Sequence, residues 1–226
     1  MKTHSTAIVV LAACSALVLA AVPAFAQNNR VYSRGDLGGQ VIQDTKLREF
    51  FGEALAPDTK VVFDPGIRIG FAAGFRITDW FSVEGESGIM ANNIKSITDA
   101  NSVEATLVNI PFMLNTRFEC PGKRCIVAPY FGGGLGVSSS IVDADHIDIG
   151  STVMSGTVTT AVFAYQAFGG IRFRLNDRMG ISLEYHYFAT TDSSWDVDAT
   201  AGTTSNRMKF GGTQTHAASI AIDARF

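Results

Sequence analysis

The chain has 226 residues, with 18 Lys plus Arg against 21 Asp plus Glu, a formal net charge of -3 at pH 7 and 46% hydrophobic residues. This acidic balance, with no basic cluster, excludes a nucleic-acid-binding surface. Beyond the N-terminal segment nothing approaches the ~20 uninterrupted apolar residues of a membrane helix, so any crossing of a membrane must be made by strands.

The first 26 residues read as a cleaved signal peptide. Lys2 is a weak basic start, residues 7–22 are almost wholly apolar, and Ala24-Phe25-Ala26 is a small-x-small cleavage site before Gln27. A lipoprotein reading of Leu11-Ala12-Ala13-Cys14 leaves too short an apolar stretch before Cys14 and a long one after it. Cleavage after Ala26 leaves residues 27–226 as one domain, with Cys120 and Cys125 its cysteines. A close, even pair in an exported chain predicts a disulfide stapling the turn at Pro121 and Gly122, not a metal site or a nucleophile.

Eight segments then alternate with a period of two, the signature of strands with one oily and one polar face. Segment 31–41 sets Tyr32, Arg34, Asp36 and Gln40 against Val31, Leu37 and Val41. Segment 67–77 sets Arg68 and Arg76 against Ile67, Ile69, Phe71, Phe75 and Ile77, and 81–89 sets Glu84 and Glu86 against Phe81, Val83 and Ile89. In 108–118, Asn109, Asn115 and Arg117 oppose Val108, Ile110, Phe112, Leu114 and Phe118. In 127–137, Tyr130 and the glycines 132, 134 and 136 oppose Phe131, Leu135 and Val137. Segment 163–175 sets Gln166, Arg172 and Arg174 against Tyr165, Ile171, Phe173 and Leu175. Segment 181–188 sets Ser182, Glu184 and His186 against Ile181, Leu183, Tyr185 and Tyr187. The last, 217–226, sets Ser219, Asp223 and Arg225 against Ile220, Ile222 and Phe226.

The connections alternate in length. Those near 78–79, 121–122 and 176–177 are short turns, whereas 42–64, 90–104, 143–159 and 191–211 are long and polar. Short turns on one rim and long loops on the other, with both termini on the short side, are the asymmetry of a membrane barrel. The polar faces carry Arg34, Arg68, Arg76, Arg117, Arg172, Arg174 and Arg225 with Asp36, Glu84, Glu86, Glu184 and Asp223, and the apolar faces carry no charge. A charge facing lipid at the midplane costs roughly 2 to 4 kcal/mol, which accounts for that segregation. A soluble barrel would turn the same two faces inside out.

With the charges inward, an eight-stranded lumen is just wide enough for side chains. Ion pairs are expected to plug it, with Arg34 and Asp36 next to Asp223 and Arg225 where the first and last strands meet. The expected result is a stable barrel without an obvious open pore, with a narrow ion path beside Gly132, Gly134 and Gly136 as the alternative. In the first loop, Leu47, Phe50, Phe51 and Leu55 within 43–56 fall on one helical face, predicting a short amphipathic helix that acts as a lid on the barrel mouth or as a contact surface.

Other motifs carry little chemistry. Arg34-Gly35-Asp36 spells an integrin-binding tripeptide but lies in a strand, and the glycine run 132–136 has no following helix to cradle phosphate. His216 and Ser219 point to opposite faces, and His186 with Glu184 reads as a lumen pair. Asp143, Asp145, His146 and Asp148 read as a solvated acidic loop. No catalytic set, metal site or cofactor is predicted.

The exported N-terminus, Gly35-Asp36-Leu37-Gly38-Gly39, Ile110-Pro111-Phe112-Met113-Leu114-Asn115, Pro129-Tyr130-Phe131-Gly132-Gly133-Gly134 and the terminal Phe226 together resemble the OmpA/OmpX-type outer-membrane β-barrel family. The resemblance implies an all-β, eight-stranded antiparallel up-and-down transmembrane β-barrel over residues 27–226, integral to the cell outer membrane. It also implies contact with outer-membrane lipids and lipopolysaccharide, a monomer, and insertion by the assembly machinery that reads the final strand, with Phe226 as assembly signal. The chain departs from the family in its large first loop and in lacking a peptidoglycan-binding segment after the barrel. The expected function is a structural or surface-interaction role without catalysis, with a small passive pore or a soluble periplasmic ligand-binding barrel as alternatives. A lipid-modifying enzyme would need a Ser/His/acid set near the outer rim, and the sequence offers none.

Overall fold

The computed structural model describes residues 30–50, 53–54, 59–98, 100–121, 126–149, 152–196 and 207–226. Thus the expected signal peptide and Cys125 lie outside the described residues. Eight long strands form the wall: β1 (Val31–Ile42), β5 (Gly66–Arg76), β6 (Phe81–Ile97), β7 (Ala100–Glu119), β8 (Val127–Ile149), β9 (Thr152–Arg174), β10 (Met179–Thr190) and β13 (Gln214–Arg225). Each pairs antiparallel with its neighbours, β6 joins β7, and β1 joins β13, so the sheet closes on itself. All eight predicted strands are present, and short turns join β5 to β6 and β9 to β10 on the rim that also holds both ends of the barrel. Closure removes free sheet edges, and every wall strand finds its hydrogen-bond partners within the barrel, the condition for a sheet in lipid.

The alternation works as expected in the lower barrel. Arg34, Asp36, Arg68, Glu84, Glu86, Arg117, Glu184 and Asp223 are buried, while Leu37, Ile69, Leu114, Leu135, Leu183 and Ile220 on the other face are about half exposed or more. Higher up the pattern reverses. The stretches 90–104 and 143–159, expected as polar loops, are continuations of β6, β7, β8 and β9 into tall hairpins. There Ile42, Val61, Phe63, Ile94, Ile97, Ala105, Leu107, Val142, Ala144 and Phe210 pack together inside, while Asn93, Lys95 and Thr157 face out. Above the lipid the outer surface meets water, so the oily residues turn inward as in any soluble core. At the top of one hairpin β8 bulges between Ala144 and Ile147, and opposite it Gly156 takes φ of 128°, a backbone conformation that side chains other than hydrogen resist.

The remaining strands extend the seam between first and last wall strands. They are β2 (Thr45–Phe50), β3 (Glu53–Ala54), β4 (Lys60–Phe63), β11 (Ser193–Asp196) and β12 (Arg207–Phe210). The predicted first-loop helix is therefore corrected: its described part is extended, β2 pairing with β3, β4 and β12. Phe51 and Leu55 lie outside the described residues. A helix this short is marginal on its own, and the edges of β4 and β12 satisfy the backbone of β2 instead.

Candidate functional site

Period-two alternation on eight converging strands delivers long polar side chains to one axis, and there they form a continuous network. Arg34, at its centre, lies 3.4 Å from Glu84, 3.5 Å from Glu86 and 3.5 Å from Glu184. Arg68 meets Asp36 at 3.0 Å and also pairs with Glu86. Arg117 spans Glu84 at 3.3 Å and Asp223 at 3.4 Å. Neutral groups complete the carboxylate shells: Asn115 and Gln166 donate to Glu86 at 2.6 and 2.8 Å, Ser182 donates to Asp223 at 2.7 Å, and Tyr32 and Tyr130 donate to Glu84 and Glu184. The Arg117 guanidinium stacks 3.8 Å from the centre of the Tyr130 ring, and Arg34 sits over Phe168. Removing one partner from so buried a network would strand the other, which is the force that keeps it whole.

A second cluster lies nearer the short-turn rim. Glu119 pairs with Arg172, lies 3.5 Å from Arg225 and 3.9 Å from Arg174, and reaches partly into solvent. Sequence reasoning missed Glu119 because the predicted strand stopped at Phe118; carrying the alternation from Arg117 one more step finds it. Arg76, counted among the lumen charges, instead donates to the Asp79 carbonyl at the turn, 3.1 Å away. Arg34 and Asp223 are register partners on β1 and β13, yet their ion pairs cross the lumen. Arg34 and Asp223 thus do not pair with each other along the seam, although Arg68 with Asp36 and Arg117 with Glu84 do pair between adjacent wall strands.

The space beside the three lumen glycines is taken by neighbouring groups. A Cβ on Gly132 would meet the Phe168 ring, one on Gly134 the Asn115 amide, and one on Gly136 the Met113 side chain. Those glycines make space that neighbouring side chains fill. The integrin tripeptide is not displayed, since Arg34 and Asp36 are buried. His216 points outward to Tyr185 and Gln43 while Ser219 is buried, and the Ser182 hydroxyl is taken by Asp223. Asp143 accepts from Thr157 at 2.6 Å, and the side chains of Asp145, His146 and Asp148 lie outside the described residues. Cys120 is exposed just past the end of β7, and its expected disulfide partner, position 125, lies outside the described residues as well.

The outer wall carries two belts of rings. Near the short-turn rim Trp80 and Phe81 pack on Phe118, and Phe118 stacks 5.3 Å from Phe131; near the other rim Tyr165, Tyr187 and His216 are neighbours, with Tyr185 hydrogen-bonded to His216 at 2.5 Å. Between the belts lie Leu37, Ile69, Leu183, Ile220 and Ile222, all exposed. An apolar band flanked by aromatic girdles is the surface of a barrel in lipid. The family model for the outer membrane protein β-barrel domain matches residues 12–226. The chain belongs to that family.

As a member of it, the protein is an integral outer-membrane barrel, which sets aside the soluble reading in which the faces are reversed. Solved structures similar to this barrel include the Neisserial surface protein NspA, with 14% identity and a TM-score of 0.51 over 87% of this chain and 97% of that one. OprG from Pseudomonas aeruginosa shares 15% identity over 85% of this chain and 94% of its own, with a TM-score of 0.54. AlkL, solved in lipid bilayers, shares 14% identity over 88% and 91%, with a TM-score of 0.52. At such identities the likeness is one of fold. Among curated protein sequences, none matches this barrel.

Proposed function

We propose that this outer-membrane barrel is a non-conducting, non-catalytic anchor that presents its tall β-hairpins for contact at the cell surface. The filled lumen carries this reading: Arg34, Arg68 and Arg117 are tied to carboxylates from several wall strands, and Phe168, Asn115 and Met113 occupy the space left by glycines. Above the charges the apolar cluster around Phe63, Ile94, Leu107 and Phe210 adds a second closure. The partners this supports are membrane lipids and lipopolysaccharide along the girdles, other surface molecules at the hairpins, and the assembly machinery at the final strand and Phe226, with the barrel itself a monomer. Planar-bilayer recording on the purified barrel tests the proposal. Conductance indistinguishable from protein-free membrane is expected; steady channel steps would replace the anchor with a small pore.

A further inference from the structure

We propose that the lumen holds a divalent transition-metal ion of the zinc class on Asp36, Glu184 and His186. Glu184 and His186 are two apart on β10 and so share its inward face, and Asp36 approaches from β1, one wall strand beyond the intervening β13. One ligand atom from each of the three lies within 4.8 Å of the others, and all three residues are buried. Ligand atoms bonded at about 2.0–2.2 Å stand roughly 3.3 Å apart around zinc, so side-chain rotation closes the triangle without moving the wall. One imidazole with two carboxylates is a donor set such ions accept.

Two independent observations point to a cation at this place. The first is orphaned polarity: Asp36 Oδ1 and His186 Nδ1 are buried with no hydrogen-bond partner, as are Gln40 Oε1 and Ser219 Oγ. Ser219 lies beside Glu184 in register, and Gln40 is one step from His186 through Ala217. The competing cations occupy the other lone pairs. Arg68 takes Asp36 Oδ2, Arg34 approaches Glu184 Oε1 at 3.5 Å beside the Tyr130 hydroxyl, and His186 Nε2 lies 2.7 Å from Glu184 Oε2, which orients the ring. The second is charge. The connected central network joins three guanidinia (Arg34, Arg68, Arg117) to five carboxylates (Asp36, Glu84, Glu86, Glu184, Asp223), leaving two formal negative charges with His186 neutral. With the Glu119 cluster included, six arginines face six carboxylates, so the deficit is local to the central network, the balancing Arg174 and Arg225 standing nearer the short-turn rim with side chains 20% and 18% exposed. A divalent cation brings the buried network to neutrality, which a low-dielectric site strongly favours.

The apolar cluster lies above this site, so the metal is best supplied while the barrel closes. The untagged, full chain is refolded into detergent with Zn2+ or Co2+, passed over chelating resin, and its metal content is measured against folded protein. One tightly held ion per folded barrel is expected, with a Co2+ spectrum showing nitrogen coordination. His186→Ala and Asp36→Asn should each lower occupancy at least about tenfold in the fraction that still folds, as judged by a heat-dependent gel shift, whereas His216→Ala should keep it. A metal-free wild-type barrel would overturn the proposal, as would retention by His186→Ala or equal loss in His216→Ala. If neither lumen variant folds, the wild-type Co2+ spectrum decides alone, and coordination by oxygen only rejects the site.

Discussion

Replacing Arg34 with Met keeps a long unbranched side chain in the middle of the lumen and removes the charge that three carboxylates share. The consequence follows from what each carboxylate retains. Glu84 keeps Arg117 at 3.3 Å and Tyr32; Glu86 keeps Arg68, Asn115 and Gln166; Glu184 keeps Tyr130 and His186 at 2.7 Å. No carboxylate is left bare, so the loss should fall at the lower end of the range for breaking a buried pair, about 3 kcal/mol. Urea unfolding of the barrel refolded into lipid vesicles measures it: with a slope of about 1–3 kcal/mol per molar, the midpoint should drop by roughly 1 M or more. Adding Glu184→Gln restores the formal balance of the network, and the double variant should recover about 1.5 kcal/mol, within the usual range for coupled neighbours. A loss in Arg34→Met below about 1 kcal/mol, or no recovery in the double variant, would refute the view that shared charge compensation holds the lumen together.

Glycine substitutions should separate the two faces: Gly134→Ala drives a Cβ into Asn115 and the Leu114 carbonyl and should cost about 1–3 kcal/mol, while Gly35→Ala, with nothing within 4 Å, should be neutral or gain up to about 1 kcal/mol in the same unfolding assay. Leu37→Arg places a charge in the exposed apolar band between the girdles and should destabilise the barrel in bilayers by roughly 2–4 kcal/mol; an unchanged midpoint would mean that this face does not meet lipid. In unboiled SDS gels the outer-membrane form should migrate apart from the boiled chain, and a single band under both conditions would contradict a closed barrel.

The wall was legible because its chemistry repeats. Each strand states the same rule, from Arg34 and Leu37 to Asp223 and Ile222, and lipid enforces it with a cost per charge. The hairpins above were less legible because the rule inverts where lipid gives way to water. Asn92 and Ile94 sit on the face that carries Glu84 and Glu86 lower down, and a reading tuned to polar-inside ends the strand there. The expected first-loop helix failed for a related reason: Leu47 and Phe50 fit a helical stripe, but pairing with β12 and β4 arises only when distant segments meet. The lumen was partly legible. The sequence assigns Arg34, Asp36, Glu184 and His186 to inward faces, yet which of them touch depends on strand tilt and stagger around the barrel, quantities that alternation alone does not contain.

The pairing of β1 with β13 has a consequence for how the molecule must form. Other neighbouring wall strands follow one another in the chain, whereas this ladder, from Tyr32 opposite Arg225 to Ile42 opposite Thr215, joins the two ends. Arg34 and Asp36 enter from one side of that seam and Asp223 from the other, so the central charges find their full set of partners only when the ends meet. Above it β2 and β12 continue the join through Lys209 opposite Glu49, like the tongue of a zip fastened past the last tooth. An open sheet would expose unpaired edges and uncompensated charge at the same place, so closure and neutralisation are one cooperative event, and partly closed forms have little to hold them.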